Sequence, residues 1–215
     1  MNKAFCAGQR TCYGKAVRSR AEKGSHMPRI YMIRHGEAAA GWDADKDPVL
    51  SDLGWQQAER AARNIMAREG RALPVLSSPL RRCRETSEPL SKAWGLQARI
   101  EPRVAEIPSP ELSLSERGGW LRRIMTGTWA ETLSDAANPD LMGWKQAVAD
   151  ALLELDEDTV IFSHFIAINA AVGHALDDPR VICFKPDNCS ITIFETSAGQ
   201  LKLLEQGGEA ETKVN

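Results

Sequence analysis

Ile30-Tyr31-Met32-Ile33-Arg34-His35-Gly36-Glu37 is an apolar run that stops abruptly at charged residues. Its first half reads as a short buried strand, residues 29–33. In an open α/β sheet, ligand sites lie just past the carboxyl ends of strands. Arg34 and His35 therefore stand where a site is expected. Arginine offers a planar fork of donors suited to phosphate or carboxylate. Histidine offers a ring nitrogen that can be a nucleophile, a base or a ligand. Gly36 lets the backbone turn tightly and lets a ligand approach it.

Moving outward, the same pattern recurs twice. Leu73 to Ser77 reads as a second strand. Ser78-Pro79 then opens a helix, with Ser as cap and Pro at the first helical position. Of the arginines in its first turns, Arg81 and Arg84 are expected on a solvated face. Arg82 stands near a helix start after a strand, where anions bind readily. Further on, Thr159-Val160-Ile161-Phe162 is a continuous apolar run, as for a strand covered on both faces. It ends at Ser163-His164 and continues into an apolar helix from Ile166 to Ala175, where His174 is structural or capping. If these three strands lie side by side in a parallel sheet, Arg34, His35, Arg82 and His164 converge on one crevice. A phosphoryl group held by bidentate arginine contacts is its natural guest.

The remaining chain supplies the frame. The loop Ala38 to Leu50 carries the turn formers Gly41, Asp43, Asp45, Asp47 and Pro48. Ser51 caps a helix to about Arg68, with Ala58, Ala61, Ala62, Ile65 and Met66 on one face and Gly70 ending it. Pro89 is expected to kink or restart the next helix. Gln97 to Glu101 is a third, short strand. Prolines bar a helix from Arg103 to Pro110. Within that loop Glu106 lies between Ala105 and Ile107, which would partly desolvate its carboxylate; a solvated surface glutamate is the plainer reading. Leu112 to Trp129 is helical with a break near Gly127, and Trp120 and Trp129 line a pocket or pack in the core. Asp140 begins a helix with the stripe Leu141, Trp144, Val148, Leu152 and Leu155. Ile191–Phe194 and Leu201–Leu204 form a closing hairpin turned at Ala198-Gly199. Strands alternating with helices imply a three-layer α/β/α sandwich around a mostly parallel central sheet.

At 215 residues, 43% hydrophobic and 26% charged, the chain has room for one domain with a sizeable core. Residues 1–27 look foreign to it. They hold six basic residues against one acid, Glu22, without apolar periodicity, and Gly24-Ser25-His26-Met27 resembles a scar left by an expression vector. They are expected to be a tag or disordered leader. Residues 28–207 then form the domain and 208–215 a frayed tail. The net charge of −2 gives no footprint for nucleic acid, and no apolar run approaches the ~20 residues of a membrane span. Cys6, Cys12, Cys83, Cys183 and Cys189 show no zinc spacing; they read as reduced thiols of a cytoplasmic protein.

Arg34-His35-Gly36-Glu37, Ser77-Ser78-Pro79-Leu80-Arg81-Arg82 with Thr86, the acidic loop at Glu106, and Ser163-His164 together resemble the histidine phosphatase superfamily, the phosphoglycerate-mutase-like group. Leu50-Ser51-Asp52-Leu53-Gly54 with Gln57-Ala58 resembles that family's first helix start. The likeness covers about residues 28 to 207. It implies that His35 attacks phosphorus and becomes a phosphohistidine, and that Arg34, Arg82 and His164 bind the phosphoryl oxygens. It implies that Glu106, with Glu37 as the alternative, protonates the leaving oxygen and then activates water. No metal or other cofactor is expected, because cationic side chains do a metal's electrostatic work.

The sequence also departs from the family pattern. Phe165 follows the second histidine where many members have Gly. Ala38-Ala39-Ala40 follows the first motif where mutases usually show Ser-x-Trp-Asn. A phosphatase is therefore expected, acting on a small phosphorylated substrate or a phosphoprotein, with no nucleic acid or membrane partner. The alternatives are a phosphohistidine phosphatase, a mutase, or a module that binds phosphate without turnover. The substrate and the oligomeric state are not encoded in any readable motif.

Overall fold

The computed structural model describes residues 27–41, 44–135 and 137–210; the leader expected over 1–27 lies outside them but for Met27. A six-stranded sheet runs in the order β3-β2-β4-β1-β5-β6. Its strands are β1 (Arg29–Arg34), β2 (Val75–Ser77), β3 (Arg99–Ile100), β4 (Thr159–Ser163), β5 (Ile191–Ser197) and β6 (Gln200–Glu205). β1, β4, β2 and β3 are mutually parallel, and β5 and β6 close one edge antiparallel. The three strands expected side by side are indeed neighbours, with Arg34 opposite Ser163 and Ser77 opposite Phe162.

Period-two alternation sends β1 side chains to two cores. Ile30 and Met32 join Ile161 under α3 (Leu114–Met125), α5 (Leu141–Leu153) and α6 (Phe165–Leu176). Tyr31 and Ile33 join Val160 and Phe162 under α1 (Asp52–Glu69) and α2 (Arg81–Trp94). The result is the expected three-layer α/β/α sandwich. Each fully buried aliphatic or aromatic side chain stabilises by about 1.5–3 kcal/mol. A dense double core can thus offset the several kcal/mol that each buried ion costs at the strand ends.

Local chemistry sets the helix ends. Ser51 accepts from the Gly54 amide to start α1, and Gly70 closes it in the left-handed region at φ 63°. Asp140 caps α5 in the same way, accepting from Gly143. The break expected near Gly127 separates α3 from the short α4 (Trp129–Thr132). Ala198 and Gly199, at φ 51° and 78°, make the hairpin turn.

Four expectations need correction. Ser78-Pro79 does not open α2; Leu80 is its cap, without a side-chain bond of its own, and the Ser78 hydroxyl accepts both from the Leu80 amide at 3.2 Å and from the His164 ring. α2 does not restart at Pro89, which lies inside one continuous helix whose later turns are pinned by fully buried Leu90. A 3-10 turn occupies Pro102–Val104 inside the loop expected to be irregular; Glu101 caps it by accepting from the Arg103 amide. Residues 208–210, expected to fray, are tied down: Asp187 N donates to Gly208 O at 2.8 Å and Ala210 N to Lys185 O at 2.9 Å.

Candidate active site

His35 lies just beyond β1, 5% exposed. Its amide donates to Ser163 O at 3.0 Å, tying it to the end of β4, and its own carbonyl accepts from Asn188 Nδ2 at 2.9 Å. Its ring Nδ1 lies 2.7 Å from Gly36 O. A carbonyl can only accept, so Nδ1 carries the proton. In the neutral ring, Nε2 then holds a free lone pair. Burial first, then the charges of Arg82 and Arg34, hold this imidazole well below its ordinary pKa.

The turn after His35 is locked from two sides. Gly36 N donates to Thr86 Oγ1 at 3.0 Å, and Thr86 Oγ1 donates to Arg82 O at 2.6 Å, which fastens the turn to α2. A Cβ on Gly36 would sit 2.5 Å from Gly54 O, so α1 can approach this closely only because the residue is glycine.

His164 follows β4, caps α6, and is fully buried. Its ring stands edge-on to His35, with centroids 5.3 Å apart. Arg82 Nη2 lies 3.0 Å from Nδ1. A guanidinium only donates, so Nδ1 accepts, and Nε2–H donates to Ser78 Oγ at 2.7 Å. Burial first, then Arg82, His35 and Arg34, hold this ring too well below its ordinary pKa. Arg82 is 3% exposed, whereas Arg81 and Arg84 are exposed as expected. Asp47 Oδ1, on the loop beyond Gly36, lies 3.8 Å from Arg82 Nη1 and accepts from Arg81 N at 2.7 Å.

Arg34 is 9% exposed. Its Nη1 donates to Pro186 O at 2.8 Å, its Cζ stands 5.0 Å from the Phe165 ring centroid, and its Nε is buried without a hydrogen-bond partner among the described residues. Burial lowers its pKa, while Glu106 and Asp187 act against that. The first amides of α6 have no partner among the described residues: Ile168 N makes that helix's first bond, to His164 O, leaving its positive end beside the histidines.

Glu106 is 8% exposed, not solvated. Burial raises its pKa, and Arg82, the Ile107 amide, Arg34 and Arg117 act against that rise. Ile107 N donates to Oε1 at 3.1 Å. Ser163 Oγ, donating to Val104 O at 2.7 Å, holds the 3-10 turn before it against β4. Glu37 is placed differently. It is exposed, and its carboxylate accepts from Ser51 Oγ at 2.8 Å.

The structure thus brings Arg34, His35, Arg82, His164 and Glu106 to one end of the sheet. The sequence reading missed three participants. Ser78 was assigned to a helix start rather than to the His164 ring. Asn188 lies 153 residues from the carbonyl it holds. Arg117 on α3 is half-buried and feels the charges of Glu106 and Arg82, and its guanidinium makes no hydrogen bond or ion pair with described residues. Among described residues no group of three or more His, Cys, Asp or Glu could hold a metal ion. No helix among the described residues is long and apolar enough to cross a membrane.

Comparison with known proteins adds to this geometry. A family model described as histidine phosphatase superfamily (branch 1) matches residues 30–207. A protein of Erwinia tasmaniensis named "Probable phosphoglycerate mutase GpmB" is 29% identical over 182 residues, covering 77% of this chain and 84% of its own. Among solved structures, a mycobacterial glucosyl-3-phosphoglycerate phosphatase superposes with a TM-score of 0.62 at 23% identity, over 82% of this chain and 96% of that one. A phosphoserine phosphatase from Entamoeba histolytica gives 0.64 at 21%, over 86% and 98%. At these identities the two structures speak to the fold alone.

Proposed function

The chain belongs to the histidine phosphatase superfamily, and from that premise we propose that it is a metal-independent phosphatase hydrolysing a small phosphomonoester through a phosphohistidine on His35. The observation that carries the reading is the His35 ring. It has one nitrogen tied to Gly36 O and the other unbonded, within a nest of two buried guanidiniums.

In the first step Nε2 attacks phosphorus in line, and the bond to the leaving oxygen breaks. The Nδ1–H bond to Gly36 keeps the lone pair on Nε2 and accommodates the charge on the phosphorylated ring. Arg34 and Arg82 hold the equatorial oxygens, with His164 fixing the fork of Arg82. Glu106, its pKa raised by burial, gives its proton to the leaving oxygen. In the second step Glu106 takes a proton from water, which displaces phosphate from Nε2 and restores both groups. Arg117 offers a third guanidinium beside Glu106, where the leaving group departs. It favours substrates whose alcohol portion carries an anion of its own.

Hydrolysis is preferred to mutase transfer because Ala38-Ala39-Ala40 stands where mutases usually show Ser-x-Trp-Asn. The mutase reading keeps support from the name of the sequence relative. Rapid acid-free quench with labelled substrate tests both. We expect base-stable, acid-labile label on the protein and its release to water, with EDTA present. Label passing to a phosphoglycerate acceptor instead would establish the mutase.

A further inference from the structure

Phe165 opens α6 directly after His164 and is 2% exposed. Its ring lies against Arg34, with the guanidinium carbon 5.0 Å from the ring centroid. An aromatic side chain thus stands directly beside the arginine at this helix start.

The way Arg34 is held gives a reason. Of its donors, Nη1 is committed to Pro186 O, while Nε is buried without a partner. One hydrogen bond leaves a guanidinium free to swivel about that contact. A cation over an aromatic face is attracted by the ring's quadrupole. That attraction consumes no N–H and brings no negative charge. A carboxylate in the same position would also hold Arg34, but it would neutralise the cation and repel an incoming phosphate.

We propose that Phe165 is a positioning residue: its ring fixes one face of Arg34 so that the Nε–Nη2 edge is presented to the oxyanion beside His35, with donors and charge both intact. The proposal rests on the phosphate-site reading above.

The test replaces Phe165 with phenylalanines carrying one, three and five ring fluorines, which weaken the quadrupole at nearly constant shape. Phe165→Leu is a second variant that removes the aromatic face. Binding of inorganic phosphate is measured by calorimetry, independently of turnover, alongside kcat, KM and the thermal midpoint. We expect the phosphate Kd to rise stepwise with fluorination, by about 3- to 30-fold across the series. KM should rise in parallel and kcat should fall, because Arg34 also holds the equatorial oxygens of the transition state, while the thermal midpoint of the fluorinated proteins changes little. Phe165→Leu should bind phosphate as weakly as the most fluorinated protein. Phosphate affinity indifferent to fluorine number, or a Leu variant binding phosphate like the unaltered protein, overturns the proposal. Graded phosphate binding without any turnover would instead support the role of Phe165 while sinking the enzymatic reading.

Discussion

His35 follows β1 and His164 follows β4, two neighbouring parallel strands, yet the two rings are bonded differently. Both are buried, and both are held well below the ordinary imidazole pKa. His35 donates from Nδ1 to a backbone carbonyl and leaves Nε2 open. His164 uses both nitrogens inside the protein, accepting from Arg82 and donating to Ser78. Electrostatics alone would make the rings equivalent. Their partners decide which is a nucleophile and which is a support for an arginine.

The largest expected effect breaks that difference directly. His35→Ala should lose turnover by at least about 10⁴-fold and form no phosphoenzyme, because no other open nitrogen is available. His164→Asn should cost less, about 10²–10³-fold, since it loosens an oxyanion donor rather than removing the nucleophile. Labelled phosphohistidine should still be trapped in that variant. Trapping in the His35 variant instead would reverse the two roles.

The two carboxylates nearest the motif invite the same treatment. Glu106→Gln should lower turnover of an alkyl phosphate by about 10²–10⁴-fold. The rate of phosphoenzyme formation from an aryl phosphate, whose leaving oxygen needs little help, should fall far less. Glu37→Gln should change either rate by only a few-fold, because Glu37 is exposed and serves the start of α1. A larger loss in Glu37→Gln than in Glu106→Gln would exchange their assignments.

Kinetically unequal, the two rings should be equal in their effect on acid stability. Each is neutral in the folded protein, while in the unfolded chain each titrates near 6.5. Below that pH the unfolded state binds more protons, so stability falls as pH falls. The slope is up to about 1.4 kcal/mol per pH unit for each ring. Glu106, with its pKa raised, has the opposite sign: stability is lost as pH climbs from about 4.5 toward its folded value. Denaturant melts between pH 6.5 and 5 should therefore show a slope that His35→Asn and His164→Asn each reduce by a similar amount. An unchanged slope in either variant would mean that its ring is protonated in the folded state.

Much of this comparison was legible in the sequence, for a local reason. Ile30 to Ile33 and Thr159 to Phe162 are apolar runs ending at histidines, and a strand buried on both faces has few other ways to look. Ser51 and Gly70 mark α1 because caps are local chemistry. The bonds that differentiate the rings were not legible. Ser78 could equally be a helix cap, and nothing nearby in sequence says that a ring 86 residues away claims its hydroxyl. Arg34 is held by a carbonyl 152 residues distant. Arg117 looks like any arginine on an exposed helix until α3 is folded over Glu106. Chemistry at strand ends is written in short runs; its tuning is written in contacts that only the assembled sheet creates.

The smallest expected effect concerns how the two arginines are held. Arg34 rests on neutral groups, a carbonyl and an aromatic ring, whereas Arg82 has a carboxylate, Asp47, at 3.8 Å. Asp47 is 45% exposed at its side chain, so water and salt weaken its hold. Even so, its negative charge stands beside a donor that the substrate phosphate needs. Its second task is structural, since the same oxygen accepts from Arg81 N at the start of α2. Asp47→Asn separates the two tasks: an amide oxygen can still accept from Arg81 N, but the charge is gone. KM should fall by about 2- to 5-fold at low ionic strength, with the gain shrinking as salt rises toward about 0.5 M. Asp47→Ala should show the same KM together with a lower thermal midpoint, because it loses the cap as well. A KM that rises in Asp47→Asn would mean that the carboxylate orients Arg82 more than it competes with phosphate. The arginines would then differ only in the chemistry of their clamps, not in their readiness for an anion.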